Sequence, residues 1–181
     1  MHRLLPSDAD QRALLHDVAD RLNTIADQLP LPDQIRADPG LSEILDDEVR
    51  HLTRLLGYLT GESALRQRAA ARYPAQVTVL QRRTTLALAR AAEPAGAALA
   101  AFGAAVHCLG ILTDLTHQPA GPARARAHYT ALDQLVVRFA ESRAHLARAA
   151  KHLRQAADTR SVPTGPRPAP PSPAASPARP R

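Results

Sequence analysis

Between Ala95 and Leu112 the chain reads AGAALAAFGAAVHCLGIL, and His107 is its only strongly polar side chain. The surrounding segment, Pro94 to His117, is the least polar of the chain and constrains the fold most. At 100° per residue, Leu99, Phe102, Val106, Leu109 and Thr113 form one helical stripe. Ala, Cys108, Ile111, Leu112 and Leu115 fill the other faces. A helix apolar nearly all round is either enclosed by protein or placed in a membrane. A membrane span needs about 20 strongly hydrophobic residues. This run is shorter, built largely from Ala and Gly, and interrupted by His107, so an enclosed central helix is expected and a membrane partner is not. Gly96, Gly103 and Gly110 recur every seven residues. Glycine costs roughly 1 kcal/mol against alanine in a helix, so three in register predict a groove against a neighbouring backbone. His107 is expected to be a satisfied core or interface group.

The segments around this helix carry helical periodicity as well. Ser7 followed by Asp10 makes an N-terminal capping signal. Leu15, Val18, Leu22, Ile25 and Leu29 then alternate by three and four in a heptad seam. The seam ends at Pro30, and its partner is a helix of the same chain or of a second copy. A second helix is expected from about Asp38–Ser42 to a cap at Gly61, with Leu45, Val49, Leu52, Leu56 and Leu59 inward. A third covers about Ser63 to Ala92, with a kink or split at Pro74, and Pro94 breaks the chain before the central helix. The turn Gln118-Pro119-Ala120-Gly121-Pro122 precedes a last helix reaching about Asp158. Leu132, Leu135, Val136, Phe139, Leu146, Ala150 and Leu153 form its inward stripe. Arg138, His145, Arg148 and His152 should be wet, and its final turns should project beyond the other helices.

These readings predict an all-α fold: an antiparallel four- or five-helix bundle domain over 1–160. From Ser161 the composition changes, with eight prolines in 21 residues. Residues 161–181 are therefore expected to be a disordered proline- and arginine-rich tail. Hydrophobic residues make up 45% of the chain and aromatics only 3%. The core must be built from Leu, Val, Ile and Ala, which suits close-packed helices and not sheets. Cys108 is the single cysteine, so no intrachain disulfide forms, and a cytoplasmic setting is expected. The N-terminus has no apolar signal core.

The net charge of +6 is unevenly placed. Residues 1–60 hold six arginines against eleven carboxylates, whereas 61–160 hold fourteen basic against six acidic groups. Lys151 is the only lysine, a usage typical of GC-rich coding, so part of the basicity reflects codon bias. The residues read as nucleic-acid contacts are Arg66, Arg68, Arg72, Arg82, Arg83, Arg138, Arg148, Lys151 and Arg154, because phosphate contacts need only positive charge and geometry. Scarce aromatics argue against base stacking on single strands.

No catalytic signature emerges. The eight glycines never cluster into a phosphate loop, and no His or Cys spacing supports zinc. Glu48 and His51 form an E-x-x-H pair, but the second pair found in di-metal bundles is missing. Glu141 and His145 are four apart and do not replace it. The Arg138/His145 spacing of some helical ribonucleases arises by chance in so basic a chain. No catalytic, cofactor-binding or metal-ligating residue is therefore assigned, and no cofactor. The expected function is non-catalytic protein–protein interaction, foremost self-association, with Leu15, Val18, Leu22, Ile25 and Leu29 as the association seam. The alternative is sequence-independent nucleic-acid binding through the arginine faces and the tail.

Overall fold

The computed structural model describes residues 7–35 and 39–159. Among these the chain is all-α: four long helices, two short 3-10 turns and no strand. The expected tail, 161–181, lies outside the described residues.

Helix α1, Asp8–Gln28, starts where its capping chemistry dictates. The Ser7 hydroxyl accepts from the Asp10 backbone N–H, and the Asp10 carboxylate accepts from the Ser7 N–H. Together they satisfy two donors that the first turn leaves open. Leu29 and Pro30 end the helix, and a 3-10 turn at Pro32–Gln34 follows.

Helix α2, Pro39–Arg72, does not stop at Gly61. No glycine among the described residues takes a left-handed φ, so Gly61 is an ordinary helical residue. The Ala, Leu, Arg and Gln that follow are strong helix formers, and Glu62 pairs with Arg66 one turn on at 2.7 Å. Termination falls instead at Tyr73, because proline disfavours the helical conformation of the residue before it. A 3-10 turn at Pro74–Gln76 leads to Thr78, which caps the next helix in a box with Gln81.

Helix α3, Val79–Thr116, passes through Pro94. Among the described residues the expected third helix is thus divided at Pro74, and its second part is fused to the central segment. Proline removes only the bond to the Arg90 carbonyl, and the alanine-rich turns on both sides carry the helix through. A Gly121-Pro122 start, with proline in the first turn, opens α4, Pro122–Asp158.

The packing is centred on α3 and α4, which make the most extensive contact, with α1 against α4 and α2 against α3. α1 and α2 touch each other little. On α3 an alanine-dominated surface is buried, with Ala91, Ala95, Ala98, Phe102, Ala105 and Leu112 in it. This differs from the expected stripe: Val106 is 51% exposed and Thr113 is exposed. Small alanines let helices approach closely, so the contact face of α3 is its alanine-rich side, which includes Phe102 and Leu112 and turns Val106 outward.

The last turns of α4 do not project. Leu153 and Ala157 are buried, Arg154 pairs with Asp20 at 2.7 Å, and Asp158 lies 3.5 Å from His16. The less covered end is the opposite one, where no residue from Pro122 to Thr130 is buried.

Candidate functional site

The heptad seam is spent inside the chain. Leu15, Val18, Leu22, Ile25 and Leu29 are each at most 5% exposed and belong to the core cluster. The seam thus packs into the chain's own core, and only Val18 and Ile25 also line a groove open to solvent. A hydrogen bond invisible to periodicity fixes its far end. Arg143 Nη2 donates to the Leu29 carbonyl at 2.7 Å and also to the Pro30 carbonyl. A cation here meets carbonyls that the C-terminus of α1 leaves open.

The basic residues fall into two groups. Arg66, Arg138 and Arg154 are engaged with Glu62, Glu141 and Asp20, each at 2.7 Å. Arg68, Arg72, Arg82, Arg83, Arg148 and Lys151 are exposed, with no carboxylate partner among the described residues. Arg83 also lines a cleft of about 290 Å³ between α3 and α4, whose wall carries Arg90 and His152 as well. His145 is half-buried, not wet, and its Nδ1 lacks a hydrogen-bond partner.

The outer face of α3 is open to solvent. Ala100, Gly103, Val106, His107, Gly110 and Thr113 are exposed. A Cβ built on Gly96, Gly103 or Gly110 would meet nothing within 4 Å. The glycine stripe therefore points away from the chain's other helices, and His107 stands on the same outer ridge. The most apolar window of α3 has mean hydropathy 1.9, yet only 39% of it is buried. No charged residue occurs from Pro94 to Thr113.

A groove of about 620 Å³ opens where α1 and α2 diverge. Its floor is Leu14, Val18, Ile25 and Leu55, and its rim carries Asp17, Arg21, Thr24, His51, Arg54 and Tyr58. Arg21 is held by Asp17, Nε to Oδ2 at 3.0 Å. His51 Nδ1 lies 3.4 Å from Glu48 Oε2. Burial pushes the Glu48 carboxyl above the usual range, and the His51 contact offsets part of that rise. Burial, with the Glu62 carboxylate, likewise pushes the Tyr58 phenol up. At neutral pH Tyr58 thus remains an O–H donor.

Among the described residues no group of three or more His, Cys, Asp or Glu is placed to hold a metal ion. Glu48 and His51 form a local pair on one helix. Comparison with protein-family models, curated proteins and solved structures finds no match to this chain.

Proposed function

We propose that the chain is a non-catalytic, cytoplasmic interaction protein that self-associates through the outer face of α3. In this reading its helices form an antiparallel bundle over 1–160, and 161–181 is a separate proline-rich segment. The observation that carries it is the glycine stripe Gly96–Gly103–Gly110, which costs helix stability and leaves open space where its Cβ atoms would be, with no close approach among the described residues to repay that cost.

The occupant proposed for that face is a second copy. From Pro94 to Thr113 there is no Asp, Glu, Lys or Arg for a charged partner to pair with. An identical face is self-complementary under twofold symmetry, and glycines about 10.5 Å apart along the axis let two backbones come close. Sedimentation equilibrium over a wide concentration range tests this. The mass should rise from one copy toward two, and Gly103→Arg should hold it at one copy with unchanged helical circular dichroism. A mass fixed at one copy throughout sinks the proposal, as does flotation of the wild-type chain with lipid vesicles.

A second reading, sequence-independent nucleic-acid binding, is favoured by the unpaired cations. Arg83, Arg90 and His152 converge on one cleft, and Arg148 stands one turn before His152 on α4. Its test is a gel shift of random duplex at about 50 and 200 mM salt, where phosphate binding weakens steeply. An Arg83→Gln/Arg90→Gln chain should bind more weakly at both salts. Absence of a shift at low salt removes this reading.

A further inference from the structure

We propose that the groove between α1 and α2 is a binding site for an anionic amphiphile, with a hydrocarbon chain along its floor and a carboxylate head at Arg54. The site is separate from the α3 face, and the inference does not rest on self-association.

The argument starts from the groove's two chemistries. Its floor is aliphatic, Leu14, Val18 and Ile25 from α1 and Leu55 from α2. From Leu14 to Ile25 the helix advances about 16 Å, the reach of an extended medium-length alkyl chain. The volume, about 620 Å³, lies within the range of roughly 300–1,000 Å³ seen for small-molecule sites. A wholly polar ligand would leave that floor wet, and a wholly apolar one would ignore the rim.

The rim then selects the sign of the head group. It carries three basic side chains, of which two already have a carboxylate: Arg21 has Asp17, and His51 has Glu48. Arg54 has none among the described residues, so it is the rim's uncommitted cation. A guanidinium binds a carboxylate through two parallel N–H bonds. The Tyr58 and Thr24 hydroxyls on the same rim supply further polar atoms at the mouth. A cationic head would meet Arg54 as a like charge and would have to compete with Arg21 for Asp17.

Isothermal titration of the full chain with decanoate, below its micelle concentration, tests the proposal. Decanol keeps the chain and loses the charge; acetate keeps the charge and loses the chain. Decanoate should bind at one per chain, and decanol and acetate at least about tenfold more weakly. Arg54→Gln should weaken decanoate by about tenfold or more and leave decanol unchanged. Thr24→Phe, which fills the groove from an exposed position, should abolish binding with helical circular dichroism retained. Gly103→Arg on α3 should bind decanoate as the wild type does. Equal affinity for decanoate and decanol overturns the proposal, as does an Arg54→Gln or Thr24→Phe chain that binds like the wild type. A Thr24→Phe chain of altered sedimentation mass, with no decanoate binding to the wild type, would assign the groove to a second copy and overturn it equally.

Discussion

Replacing Gly96, Gly103 and Gly110 together with alanine should stabilise the dilute chain. All three are helical, and an added Cβ at each meets no atom within 4 Å, so the substitution brings no steric cost inside the molecule. The gain per site is the helix-propensity difference, about 0.8–1 kcal/mol. The sites are about 10.5 Å apart and share no partner, so their effects add, giving about 2.5–3 kcal/mol. For a chain of this size that raises Tm by about 5–12 °C. Urea unfolding followed by circular dichroism at low protein concentration measures it, with the m-value as the check that the two end states are unchanged. At high concentration the three methyl groups would stand between two approaching backbones, so the same variant should self-associate less. Stability and association therefore move in opposite directions. A triple variant that is less stable than the wild type when dilute would refute the placement of the stripe on open surface. One that is more stable and associates as before would refute its role in pairing.

Three further outcomes follow from buried or bridging groups. Leu22→Ala should cost about 2–5 kcal/mol at every protein concentration, because Leu22 is fully buried within one chain; denaturant midpoints at two concentrations check this. Arg143→Ala should cost about 1.5–3 kcal/mol by releasing the carbonyls of Leu29 and Pro30, read as a lower urea midpoint. Glu48→Gln should raise Tm near pH 7. Burial lifts the Glu48 pKa, so the folded chain favours the protonated acid. That contribution is complete below the unfolded value of about 4.3 and is lost as pH rises through the folded one. The gap between variant and wild type should therefore close below about pH 4.

The leucine seam of α1 and its capping box were legible because both are local patterns, the first in period and the second in the Ser7/Asp10 spacing. The joins were not. Gly61 and Pro94 carry the marks of helix ends, yet alanine-rich flanks and tertiary packing propagate the helix past both. The buried face of α3 was misplaced for a related reason. Hydropathy weights large side chains, so Leu99, Val106 and Leu109 drew the stripe, whereas close approach of helices centres the buried face on small alanines, with Leu99 and Leu109 at its margin and Val106 outside it. The same shift turned His107 and the glycines outward. Arg143 could not be found by spacing at all, since its acceptors lie 114 and 113 positions away. The α1–α2 groove is likewise a product of how two helices diverge, and no segment encodes it alone.

The unequal lengths of α1 and α4 divide the molecule. α1 has 21 residues, about 31 Å, and α4 has 37, about 55 Å. Contacts from His16–Asp158 to Arg143–Leu29 align α1 with the C-terminal half of α4. The turn between α3 and α4 is left with a thinner covering, and local opening is cheapest where fewest apolar contacts must break. Amide protons of residues 122–130 should exchange with solvent through fraying, while those of 146–157 should exchange only when the whole chain unfolds. The chain thus carries a slow clock at one end and a fast one at the other, with Gly110 toward the fast end. A partner seated there would slow the fast clock and leave the slow one untouched.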